Sequence, residues 1–110
     1  MSLEEQLIAE IKAVVISDNV ERYCQFVAEK DPSTIRNAEW RTFVSLLQEN
    51  EASETIRTIF RQVMLDVLSN TLAVLDGSSC LATMRDDFRI FYGSKELERT
   101  LADTLLESEE

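Results

Sequence analysis

Histidine is absent from this chain, and with it the side chain most often used as a general base and the commonest metal ligand. Cysteine is scarce. Cys24 and Cys80 stand far apart, so they make neither a small-protein disulfide framework nor the paired spacing of a structural zinc site, and a reducing cytoplasm is the expected compartment. Proline occurs once and glycine twice, which excludes a collagen-like repeat, a Pro/Gly-rich disordered tail and a loop-rich sandwich. No apolar run approaches the ~20 residues that span a bilayer, and Met1-Ser2-Leu3-Glu4-Glu5 lacks the basic start and apolar stretch of a secretory signal. Export and membrane insertion are therefore not expected. Basic residues are also few: 11 Lys and Arg face 21 Asp and Glu, for a net charge of −10. A surface of that sign is repelled by phosphate backbones and anionic lipids, so neither nucleic acid nor a membrane is an expected partner.

What is present reads as one globular domain. The 110 residues, 45% hydrophobic and 29% charged, suffice for a single core, with no internal repeat and no second domain. The acid collects towards the ends: residues 1–31 carry seven acids against three bases, residues 77–110 eight against four, and the middle is nearly balanced.

Helical periodicity dominates the chain. Ser2 and Glu5 fit a capping box ahead of Leu3, Leu7, Ile11 and Val14, which predicts a first helix over 3–16. Ser17-Asp18-Asn19 can cap a second over 19–30, with Val20, Tyr23, Cys24 and Val27 on its stripe. Asp31-Pro32 fits either a cap with proline in the first helical position or a turn. A third helix over 37–48 carries the stripe Trp40, Phe43, Val44 and Leu47, and a fourth over 54–76 ends at Gly77, suited to the left-handed residue that closes a helix. Alternation in Asp87 to Tyr92 predicts a short strand, with Cys80 to Met84 as its candidate partner and Gly93-Ser94 as a turn. Ser94 can cap a last helix over 95–106 with Leu97, Leu101 and Leu105 on its stripe, before an acidic tail, Glu107 to Glu110, that is expected to fray. The expected fold is a mostly-α bundle of about five helices around a long central one, with one short strand or hairpin near residues 80–92.

The fourth helix is apolar or small nearly all round. Ile56, Phe60, Val63, Met64, Val67, Val74 and Leu75 make a wide face, and the opposite side, Thr58, Gln62, Leu65, Ser69, Leu72 and Ala73, has little charge. Such a helix is either the central post of the domain or an oligomer interface, which makes Leu65, Ser69 and Leu72 candidates for contact with a second copy.

No residues converge on a reaction. Asp86-Asp87 lacks the oxygen-rich loop of a calcium site, and no cofactor or metal is expected. Cys24 reads as a small core hydrophobe. Cys80, in an expected loop with Arg85 nearby in sequence, reads as an incidental thiol. Asp76 faces the unfavourable end of its helix dipole, so it either closes an Asx-type turn or accepts a partner's Arg or Lys. Phe88, Phe91 and Tyr92 alternate with Arg85 and Arg89, but Asp86, Asp87, Glu96 and Glu98 give the segment the wrong field for a nucleic-acid platform. In size, acidity and helical content the chain is similar to small bacterial immunity and antitoxin-type proteins, which bind basic partners; the likeness is one of composition and no motif carries it. The expectation is a non-enzymatic protein-interaction module, of an inhibitor or immunity-like kind. Asp76, Glu96, Glu98 and Asp103 are its candidate contacts to a basic partner. The alternatives are a structural or regulatory homodimer, and a small-molecule binder or enzyme with a pocket among Trp40, Phe60 and Tyr92.

Overall fold

The computed structural model describes residues 1–79, 81–84 and 86–110. Cys80 and Arg85 lie outside the described residues, and with them part of the segment expected to pair with the strand. The chain is a mostly-α fold, 68% helical with one small antiparallel ladder.

The first two expected helices are one. Helix α1 (Leu3–Ile11) passes through a π-helical segment (Lys12–Ser17) into α2 (Asp18–Glu29) without a break, a rod of about 40 Å at 1.5 Å per residue. Ser2 caps it as expected, accepting the Glu5 N–H at 3.0 Å. The triplet Ser17-Asp18-Asn19 caps nothing. Ser17 has helical φ and ψ of −61° and −47° and makes no capping bond, while the Asn19 side chain donates to the Val15 carbonyl at 2.7 Å. The Asp18 N–H reaches back to Ala13, five residues away, as a π turn requires.

This extra residue in the turn has a structural purpose. At about 100° per residue, Val20 in an unbroken α-helix would stand ~120° around the axis from Ile8. One residue of π slip removes ~100° of that drift. Ile8, Ile16, Val20, Cys24 and Val27 are then all buried along the same rod.

The partner of the rod is α4 (Ser53–Asp76), whose bounds agree with the expectation. The two run antiparallel: Glu21 pairs with Arg57 towards one end, and Ile8 packs with Leu72 towards the other. Gly77, at φ +82°, closes α4 by sending the Ser78 N–H back to Ala73 at 3.0 Å.

Two shorter helices fill opposite edges of this pair. Helix α3 (Ala38–Glu49) lies against α2, capped by Asn37, whose side chain accepts the Trp40 N–H at 2.8 Å. Asp31 caps a single 3-10 turn (Pro32–Thr34), so both sequence readings of Asp31-Pro32 hold in part. Gln48 in turn ties α3 to α2 by donating to the Val27 and Lys30 carbonyls, each at 2.8 Å. Five aromatic rings, Tyr23, Phe26, Trp40, Phe43 and Phe60, seal the junction of α2, α3 and α4.

Helix α5 (Leu101–Glu107) packs on α1 and α4. It begins later than expected. Lys95 and Glu96 instead form β2 (Lys95–Glu96), paired with β1 (Phe91–Tyr92) across the Gly93-Ser94 turn, so Ser94 is not a helix cap and the strand pairs forward, with 95–96. The core accordingly has two parts. Ile16, Val20, Cys24, Val27, Ile35, Val44 and Ile56 form one, Ile8, Leu72, Leu101, Ala102 and Leu105 the other, and Leu65 and Leu68 touch both.

The phase argument fixes an expected outcome for two deletions. Removing the exposed Val14 from the π segment should restore an α-helix with its stripe still in phase, leaving cooperative unfolding and a loss of about 1 kcal/mol, some 4–8 °C in Tm. Removing Asp66 from α4 should rotate Leu72 by ~100° out of its contacts with Ile8, Leu101 and Leu105 and abolish the cooperative transition. Thermal unfolding by circular dichroism distinguishes them, and equal damage from both deletions would refute the phase-correcting role.

Candidate functional site

The apolar face of α4 is only half covered. Phe60, Val63, Met64 and Val67 stand at i, i+3, i+4 and i+7 and so share one edge of the helix. Helix α3 covers the start of that edge, where Phe43 meets Phe60 and Ile56 is buried. Beyond it Val63 and Val67 remain 55% and 60% exposed, with Ile59 beside them at 51%. On the rod, Tyr23 meets Phe60 edge-on and stacks on Trp40 with centroids 6.5 Å apart, and Val15, eight residues before Tyr23, is 44% exposed. Ile59, Val63 and Val67 thus continue, uncovered, from the packed aromatic junction.

The candidate oligomer residues are placed elsewhere. Leu72 is 4% exposed within the core, Leu65 packs against both halves of the core, and Ser69 is half-buried. Phe60 and Leu65 are five residues apart, ~140° around the helix, so the Leu65 side turns inwards and the Val63 side outwards. Helix α4 is also long enough, with a mean hydropathy of 1.2, to cross a bilayer by length and composition. In this fold it packs on the rod and on α5 with 6% of its apolar 18-residue stretch buried, and Arg61 at mid-helix is held in an ion pair.

Of the candidate acidic contacts, Asp76 is engaged within the fold. Its Oδ2 accepts the Ala102 N–H at 2.8 Å, so a carboxylate at the end of α4 caps the start of α5 across 26 residues, and this accounts for its position against the α4 dipole. Glu96 lies 3.9 Å from Arg89, and Glu98 is exposed. Asp76, Glu96 and Glu98 border one narrow cleft with Arg89 and Arg99, whereas Asp103 projects separately from α5. Arg99 is drawn away to Asp87 at 3.2 Å.

The segment expected to fray is clamped. Glu109 receives Arg61 at 2.9 and 3.0 Å and Lys12 at 2.8 Å, and these bonds hold its carboxyl down at about 2. Lys12 also donates to the Ser108 hydroxyl at 2.9 Å. A cleft of about 420 Å³ opens beside this clamp between α1 and α5, but Lys12 is already committed there.

Chemical candidates stay separate. Burial, and secondarily the charge of Glu54, push the Cys24 thiol up, which disfavours the thiolate a nucleophile needs. Glu4 is buried with its Oε2 unpartnered, in the first turn of α1, where the helix dipole favours an anion. Among the described residues no three acidic or cysteine side chains gather to hold a metal. Trp40 and Phe60 sit in the aromatic junction, while Tyr92 lies with Leu3, Gln6 and Glu10 at the far end of the rod, so they do not border a common pocket. No known family model, curated protein or solved structure matches the chain.

Two measurements check these placements. Leu72→Ala should cost about 2–5 kcal/mol in urea unfolding, and Val63→Ala should stay within about 0.5 kcal/mol of wild type. Glu109→Gln should cost no more than about 1 kcal/mol at neutral pH, because the clamp is partly solvated. The folded carboxyl titrates below its ordinary 4.5, so the contribution is present above that value and fades as pH falls towards about 2. The wild-type and Glu109→Gln stabilities should therefore converge over that window, and a gap that persists at pH 2 would assign the cost to something other than the charge.

Proposed function

We propose that this chain is a non-enzymatic protein-binding module, of an inhibitor or immunity-like kind, that docks a basic partner on the uncovered edge of α4. The observation that carries the reading is the exposure of Val63 and Val67, on the same stripe whose first half is packed in the core. Leaving aliphatic surface in water forgoes about 25 cal/mol per Å², and a partner that covers it recovers that free energy. The charge of −10 supports a basic partner, since a field of one sign raises the rate of encounter with the opposite sign. The division of labour follows: the stripe supplies affinity, and the exposed acids, Glu96, Glu98 and Asp103 among them, supply steering.

The test compares capture from the native cell by the wild type and by a Val63→Gln/Val67→Gln variant. Glutamine favours helix more than valine does, so the variant keeps its fold, verified by its unfolding curve. Proteins held by the wild type and lost with the variant are the expected result. Their association should slow severalfold as the Debye length shortens from ~30 Å at 0.01 M to ~10 Å at 0.1 M salt, with dissociation little changed. An identical captured set for both proteins would refute the docking surface.

A further inference from the structure

We infer that α5 is a lid, hinged at residues 98–100 and latched by the bridge from Glu109 to Lys12 and Arg61, which opens as a unit while the helix pair and the aromatic junction stay folded. The two-part core is built for such a split. The part that holds Val20, Val27, Val44 and Ile56 takes no described residue of α5, and the five aromatic rings seal it. The other part takes three of its five buried residues, Leu101, Ala102 and Leu105, from α5. Lifting α5 therefore dismantles one part and leaves the other whole.

Helix α5 depends on its packing and its ties. Seven residues are too few to stay helical in water alone, and its outer side, Asp103, Leu106 and Glu107, is exposed. Ahead of it the hinge is sharply placed. Leu97 is buried and sends its N–H to the Ile90 carbonyl at 2.8 Å, which holds the β1–β2 hairpin, and residues 98–100 then belong to no helix or strand. Beyond the hinge the Ala102 N–H donates to Asp76 at 2.8 Å, and Lys12 donates to the Ser108 hydroxyl at 2.9 Å. The latch follows, with Lys12 at 2.8 Å and Arg61 at 2.9 and 3.0 Å from the Glu109 carboxylate. Two cations carried by other elements converge there on one acid at a partly exposed site, so salt loosens the latch without weakening the apolar packing. Opening uncovers the flank of Ile8, Leu65, Leu68 and Leu72 and frees Lys12 and Arg61 from Glu109, so the open form presents an apolar strip and two cations that the closed form hides.

Native-state hydrogen exchange on the full chain tests this. The Ala102 and Leu105 amides should share one opening, at least ~tenfold more frequent than that of Val27 and with a smaller denaturant slope. Raising salt from 0.01 M to 0.1 M should speed Leu105 severalfold and leave Val27 unchanged. Glu109→Gln should speed Leu105 up to about fivefold and remove that salt response. Leu101→Ser/Leu105→Ser should hold the lid open, with the emission of Trp40, the only tryptophan, and the protection of Val27 both retained. Exchange of Leu105 at the rate and slope of Val27 would overturn the inference, because the molecule would then open only as a whole. Protection that merely grades from Ser108 back to Ala102 would reduce the lid to end fraying. A salt response that survives Glu109→Gln would remove the latch, and loss of Val27 protection in the double variant would show that the two parts of the core do not separate.

Discussion

Everything in this fold depends on keeping one face of a long helix turned towards one partner helix. In an unbroken α-helix the apolar stripe would drift ~120° around the axis between Ile8 and Val20. The π segment takes up the drift, and Ile8, Ile16, Val20 and Val27 meet α4 along its length. Once that pair is straight, it offers two edges. Helix α3 occupies one edge at the α2 end, and α5 the other at the α1 end, which is why the core falls into two parts, joined among the described residues through Leu65 and Leu68. The arrangement leaves Val63 and Val67, midway along α4, exposed.

The legible parts of the sequence were those whose causes are local. Ser2, Asn37 and Gly77 act within four or five residues of themselves, and the ends they govern fall within a residue or two of the expected bounds. The misread parts have causes elsewhere. Between residues 14 and 20 the apolar phase changes and three polar residues follow in a row, the same two signals that an interhelical break gives. What separates the cases is the absence of glycine and proline there, since nothing then obliges the backbone to leave the helix. Ser94 looked like a cap for the last helix, but the donor at the start of α5 is satisfied by Asp76, far away in sequence, and 95–96 were free to pair with 91–92. Glu109 is a similar case: an acid at a helix C-terminus reads as a fraying tail until Lys12 and Arg61 arrive from two other elements.

The candidate site was half legible for the same reason. Periodicity identified both apolar sides of α4 and could not say which one the fold would cover. Leu65 and Leu72 looked like the outer side because fewer aromatic and aliphatic residues accompany them. Their cover comes from α5, a seven-residue helix whose position is set by Asp76 and the Glu109 clamp. The Val63 side carries the larger apolar set, yet α3 is too short to reach its end.

That shortness is enforced at both ends of α3. Towards the bare edge, Asn37 caps the helix, and Ile35 is drawn into the core, so the chain must turn away two residues before the cap. Arg41 fixes that turn by donating to the Ile35 carbonyl at 2.9 and 3.0 Å and to Arg36 at 3.2 Å. At the other end Glu51 takes a left-handed φ of +51°, normally glycine's conformation, and lets the Ala52 N–H return to Leu47 at 2.9 Å. A non-glycine residue there costs about 1 kcal/mol of backbone strain, accepted where the chain must reverse sharply into α4. Helix α3 can therefore neither slide nor lengthen to cover Val63 and Val67. Their exposure is fixed by hydrogen bonds at residues that never touch them, and a surface held open in that way is available without rearrangement to whatever binds it.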